Sequence, residues 1–149
     1  MLAFNPASSQ SQTTATRYGF FGLVDNGAGR FDFVISPLQG NDAIAYAGVI
    51  ANTWYQVSES LKFVPGLNAD GTGNDIFTVT IKNGAGTVLG TATSTDWEDG
   101  YRDPTFAGIQ GPLAVNTLDF LNRFGPVGQN EGEITNLTYG SDTTDACRT

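Results

Sequence analysis

The sequence predicts an all-β fold, an antiparallel β-sandwich of the jelly-roll kind, and three observations carry that expectation. Side chains alternate with a period of two in several short segments. Gly, Asn and Pro residues punctuate the intervals between them. No window combines apolar residues at helical spacing with a cap, and the best helical candidate, Pro112 to Arg123, reads equally well as a strand. The result is seven or eight short strands joined by turns, without an internal repeat.

Residues 5 to 16 are a polar, low-complexity lead that lacks the apolar surface to order itself, so residues 1–16 are expected to form a flexible arm. Tyr18 to Val24 is the first strand, Asp25 to Gly29 a turn, and Arg30 to Ile35 the return strand with Phe31, Phe33 and Ile35 on one side. After a loop at 36–42, Ala43 to Val49 is a strand of small residues carrying Tyr46, and 51–53 turn the chain into Trp54. From there Tyr55, Val57, Leu61 and Phe63 share an inward face broken only by Glu59. Pro65 to Asp75 is a long turn.

The clearest strand follows. In Asp75 to Lys82, Phe77, Val79 and Ile81 face one way and Ile76, Thr78, Thr80 and Lys82 the other, which only a half-buried strand sustains. Asn83-Gly84-Ala85-Gly86 is a hairpin turn in which Asn-Gly is suited to positive φ, and Thr87 to Thr95 returns as a Thr-rich partner. Trp97 to Asp103 is the densest cluster of aromatic and charged groups. A Pro/Gly loop then leads to a strand at Thr117 to Phe124, a second loop to Gly132, a last strand at Glu133 to Tyr139, and a polar tail at 141–149. The sandwich is thus expected over 17–140.

At 149 residues the chain is most simply one domain, large enough to bury a core without disulfides or metal. Fifteen acidic against seven basic groups give a net charge of -8, which serves solubility and repels phosphate backbones and anionic lipid surfaces, so nucleic acid is not an expected partner. No run of about 18 apolar residues is present, so no membrane insertion is expected. The first sixteen residues show no basic segment ahead of an apolar one. The single cysteine, Cys147, cannot staple the fold by itself; it is a free thiol or an intermolecular link. With no histidine, a Ser-His-Asp or Cys-His device and His-bound zinc are excluded within this chain. Carboxylate pairs are the remaining route to an enzyme. Glu98 with Asp99 would point to opposite sides of a strand, and Glu131 with Glu133 lies beside a loop. An enzyme is therefore not the favoured expectation, though the sequence leaves it open.

Two clusters are candidate sites. In the first, Trp97 and Tyr101 supply an aromatic platform for the apolar face of a sugar ring, with Glu98, Asp99, Arg102 and Asp103 to hydrogen-bond hydroxyls. The competing reading is structural, with Trp97 packed across the sandwich and Arg102 paired with Glu98 or Asp99. In the second, Asn68, Asp70, Asn74 and Asp75 present oxygen donors on a Gly-rich loop, the composition calcium takes, although the same residues are turn formers and the spacing is not that of an EF-hand. Asn136-Leu137-Thr138 spells a glycosylation sequon inside an expected strand.

In order, Trp54-Tyr55-x-Val57, Phe63-Val64-Pro65-Gly66, Asn74-Asp75-Ile76-Phe77-x-Val79-x-Ile81-x-Asn83-Gly84, Trp97-Glu98-Asp99-x-Tyr101-Arg102-Asp103 and Glu133-Ile134-x-Asn136-Leu137-Thr138 resemble bacterial laminin-G-like domains of the concanavalin A-like lectin and glucanase superfamily. The resemblance covers roughly 17 to 140, with Trp-Glu-Asp-x-Tyr-Arg its most specific part. It implies a concanavalin A-like jelly roll and, since some members bind calcium near a sugar site, strengthens the calcium expectation. The Glu-x-Asp-x-x-Glu strand motif of the jelly-roll glucanases is absent. Such domains carry one or two strands ahead of the position of Tyr18, where this chain has its polar lead; a sheet lacking those strands would offer an open edge to another copy of itself. The function expected is a secreted or surface-displayed, non-catalytic binding module, for carbohydrate above all. The alternative is a structural subunit of an extracellular filament, coat or viral shell completed by a neighbouring chain.

Overall fold

The computed structural model describes residues 2–7, 20–27, 30–36, 43–95, 97–105 and 117–122. Eight strands and one short helix lie within them: β1 Leu2–Ala7, β2 Phe20–Asp25, β3 Phe31–Ser36, β4 Ala43–Val49, β5 Tyr55–Lys62, β6 Ile76–Asn83, β7 Val88–Ser94, α1 Trp97–Arg102 and β8 Thr117–Asn122. The strands form two antiparallel sheets. A five-stranded sheet runs in the order β4-β3-β2-β1-β8 and a three-stranded sheet in the order β5-β6-β7. Among the described residues the fold is all-β apart from α1, and no helix is long and apolar enough to cross a membrane.

The alternation in β6 sets the smaller sheet. Phe77, Val79 and Ile81 are fully buried, while the residues between them are half exposed. β5 pairs with β6 over eight positions, from Tyr55 opposite Asn83 to Lys62 opposite Ile76. β7 pairs on the other side, with a register shift at Ile81 and Lys82 that leaves Leu89 as the extra residue. Against the buried face of β6 the larger sheet sets Phe21, Phe33, Ile35 and Ala45, and the Trp97 and Tyr101 side chains complete the same core. Aromatic contacts bind the two sheets: Phe33 stacks on Phe21 and meets Tyr55 edge-on at 5.6 Å, and Tyr46 lies 6.0 Å from Tyr55. These geometries add to the area that the rings bury. Where β4 and β7 come together the backbones nearly touch. A Cβ built on Gly90 would overlap the Ala45 carbonyl oxygen, so the position requires glycine.

Two expectations change. Leu2–Ala7 is not part of an arm but a strand that lies between β2 and β8, with Leu2 opposite both Leu23 and Asn122. It fills the place ahead of Tyr18 where further strands were expected to be lacking. Pro6 falls where β1 pairs with β8 alone, the one-sided position at which a sheet tolerates a missing donor. In the β6–β7 hairpin the positive φ is at Gly86 (86°), and neither Asn83 nor Gly84 adopts one. Gly86 N–H donates to the Asn83 carbonyl and Asn83 N–H to the Thr87 carbonyl, which makes a three-residue loop ending in a left-handed glycine. The Asn83 side chain supports it by accepting the Ala85 and Thr87 N–H groups. Residues 8–16, the strand expected at 133–139, Glu131 and Glu133, the sequon at Asn136, the tail at 141–149 and Cys147 lie outside the described residues.

Candidate functional site

Trp97 to Arg102 form a helix, so residues four apart share a side. That spacing turns Trp97 and Tyr101 together into the core, where both are 0% exposed, and Phe63 meets the Trp97 ring edge-on at 6.0 Å. This corrects the expected sugar platform: a ring without solvent-facing area has no surface on which a pyranose can stack. The same spacing pairs Glu98 with Arg102, whose Nε donates to Oε1 at 2.6 Å, and Glu98 is also wholly buried.

The other Glu98 oxygen explains that burial. Oε2 accepts the backbone N–H groups of Asn74 (2.7 Å) and Asp75 (3.0 Å), and Asp99 Oδ1 accepts that of Gly73. A carboxylate that receives an Arg and two N–H donors recovers much of the hydration it loses. The approach is close enough that a Cβ on Gly73 would come within 2.7 Å of Glu98 Cβ. Asp75 Oδ1 in turn accepts the Val64 N–H. Burial pushes the Asp75 carboxyl up to about 6, and the nearby Glu98 charge adds to the rise, against the opposing effects of the Val64 N–H and Arg102. Asp103 accepts the Thr105 N–H and hydroxyl, closing its own turn. Glu98 and Asp99, with Arg102 holding Glu98, thus act as a clamp on the 64–75 loop, while Trp97 and Tyr101 anchor the helix in the core.

The four expected calcium donors divide within that loop. Asn68 and Asp70 stand on an exposed turn built like the β6–β7 loop, with Gly71 N–H donating to the Asn68 carbonyl and Asn68 N–H to the Thr72 carbonyl. Asp70 Oδ1 accepts both the N–H and the hydroxyl of Thr72, which hold its carboxyl below the usual range. Asn68 Nδ2 donates to the Thr72 hydroxyl and the Gly73 carbonyl. Asn74 and Asp75 are instead tied to α1 through their backbone. Among the described residues, no group of three or more His, Cys, Asp or Glu is placed to hold a metal ion.

A surface that the sequence analysis did not single out lies on the outward side of the smaller sheet. Alternation along β5, β6 and β7 places six hydroxyls there in two cross-strand rows, Ser58–Thr80–Thr91 and Ser60–Thr78–Thr93. The Thr91 hydroxyl donates to that of Thr80, and the Thr78 and Thr93 hydroxyls lie 3.2 Å apart. Gln56, Lys62 and Lys82 share this side, and so by alternation does Trp54, 55% exposed just ahead of β5. Gln56 Nε2 donates to the Gly84 carbonyl, tying this end to the hairpin loop. The signal for the face was present as Ser-x-Ser, Thr-x-Thr and Thr-x-Thr in three consecutive strands; only their registration makes it a surface. On the inward side of β5, Glu59 sits opposite fully buried Val79, and desolvation raises its carboxyl to about 7.

No family model, no curated protein and no solved structure matches this chain.

Proposed function

We propose that this chain is a non-catalytic carbohydrate-binding module, secreted or surface-displayed, with a jelly-roll sandwich like that of bacterial laminin-G-like domains, and that its ligand lies on the outward face of the smaller sheet. The observation that carries the reading is Trp54: a tryptophan more than half exposed, at the end of a sheet face that carries the Gln56 amide and, farther along, six hydroxyls. An indole stacks on the apolar face of a sugar while neighbouring hydroxyls and amides exchange hydrogen bonds with its rim. In affinity electrophoresis against a panel of polysaccharides, run with calcium and then with chelator, at least one glycan should retard the chain. Trp54→Ala should abolish the retardation while the melting temperature holds. Retardation that is unchanged in Trp54→Ala would overturn the placement, and none with any glycan would overturn the module. Loss with chelator would bring Asn68, Asp70, Asn74 and Asp75 back as calcium ligands.

One feature favours a second reading, a subunit of an extracellular filament, coat or viral shell. β5 ends its sheet with no further strand bonded to it among the described residues, and an open strand edge pairs readily with another chain. Light scattering that shows concentration-dependent assembly would support it.

A further inference from the structure

We propose that the ligand of this face is a polyanionic glycan, a polysaccharide bearing carboxylate or sulfate groups; the inference rests on the carbohydrate reading and narrows it. The chain contains two lysines, Lys62 and Lys82, and the strand registers put both on the outward side of the smaller sheet. Lys62 is exposed and Lys82 half exposed, and among the described residues neither makes an ion pair. Among the described residues no carboxylate shares the face. Glu59 points inward from β5, Asp70 and Asp75 belong to the 64–75 loop, Glu98, Asp99 and Asp103 to α1 and its end, and Asp25 and Asp32 to the opposite sheet. Among the described residues, therefore, the charged groups on this face of a chain of net charge -8 are both cationic. At physiological salt, charges separated by more than a Debye length of about 8 Å are largely screened, so the two lysines weigh more on what docks here than the net charge does.

The spacing adds a second constraint. Lys62 lies opposite Ile76, six residues from Lys82, which at roughly 3.4 Å per residue separates the two ammonium-bearing positions by about 20 Å. Both hydroxyl rows lie between them, and Trp54 stands at the Lys82 end. Sparse positive charge at the two ends of a hydroxyl-lined strip fits an extended sugar polymer with intermittent anionic groups, held by charge at two points and by hydrogen bonds between. It fits nucleic acid poorly, because that backbone carries a charge at every step.

The test is affinity electrophoresis of the full chain in alginate, polygalacturonate, dextran sulfate and neutral dextran. The expected result is retardation by acidic polymers at least tenfold stronger than by dextran. Lys62→Gln and Lys82→Gln should each weaken it about three- to fivefold, as for exposed charge contacts, and higher salt should weaken it further. Arg30→Gln, which removes a cation from the opposite sheet, should leave it unchanged. Alginate or polygalacturonate against dextran sulfate tells carboxylate from sulfate. Equal binding of dextran, lost in Trp54→Ala but indifferent to both lysine variants, would overturn the inference and leave the module standing. Loss of self-association in the lysine variants, with no glycan bound, would overturn both and identify the occupant as a second, acidic copy of the chain.

Discussion

The two tryptophans of this chain stand in opposite surroundings. Trp97 is wholly enclosed by the core, beside a buried carboxylate; Trp54 is more than half exposed, just ahead of a strand whose outward side carries an amide and hydroxyls. In sequence, Trp97 has the richer company, with acids, a tyrosine and an arginine within six residues, and it reads more readily as a site. The comparison teaches that a dense aromatic and charged string is as well suited to fastening a loop as to holding a ligand. What separates the two uses is whether the donors and acceptors are already engaged by the protein. Beside Trp97 the carboxylates are: Glu98 and Asp99 between them receive three backbone N–H groups and one guanidinium. On the outward face of the smaller sheet, the four threonine hydroxyls bond in two pairs and retain capacity for a partner.

Substitutions sharpen the contrast. Trp97→Ala should cost about 3 to 5 kcal/mol in urea unfolding, as loss of a buried aromatic side chain does. A loss under 1 kcal/mol would mean that the indole is not enclosed. Glu98→Gln should come next, lowering stability by roughly 2 to 3 kcal/mol, since the acceptor of two buried N–H groups loses its charge beside Arg102. Its first structural sign should be faster amide exchange at Gly73, Asn74 and Asp75.

The third test is pH. Asp75, raised from 3.8 to about 6, and Glu59, raised from 4.5 to about 7, both bind protons more tightly in the folded chain than in the unfolded one. Their contribution to stability is therefore greatest in acid and falls as pH rises from about 4 to about 7, with each pKa unit worth roughly 1.4 kcal/mol before solvent screening reduces it. Asp75→Asn should flatten the profile between pH 4 and 6, and Glu59→Gln that between 5 and 7. Identical melting curves at pH 5 and pH 8 would show that neither group is desolvated. The smallest effect belongs to Trp54→Ala, expected within about 0.5 kcal/mol of the parent, as for a surface position. Glycan retardation should nevertheless be lost. A Trp54→Ala chain that unfolds like Trp97→Ala would erase the distinction between the two tryptophans.

Much of the fold was legible because strands write their burial into adjacent positions. The range Ala43–Val49 agrees with the reading residue for residue, and the strands on either side of the 83–87 hairpin start and stop within a residue or so of the expected bounds. The helix was not read, although Trp97 with Tyr101 and Glu98 with Arg102 are both four apart, because six residues are too few for a period of 3.6 to stand out from chance. β1 was hidden for a different reason. A six-residue segment containing Asn5 and Pro6 shows no alternation worth reading, and it is ordered by partners at 21–23 and 117–122.

Local pattern by itself determined that this protein is built from short antiparallel strands, which side of Asp75 to Lys82 is buried, and where its turns fall, because each depends on side chains within a few residues of one another. Tertiary structure alone decided which tryptophan is enclosed, that Glu98 and Asp99 fasten the 64–75 loop, and that both lysines and six hydroxyls share one face. Those outcomes join residues up to 26 positions apart in the clamp and across three strands in the sheet. Burial and hydrogen-bond engagement are properties of what the chain brings together, and no short window of sequence contains them.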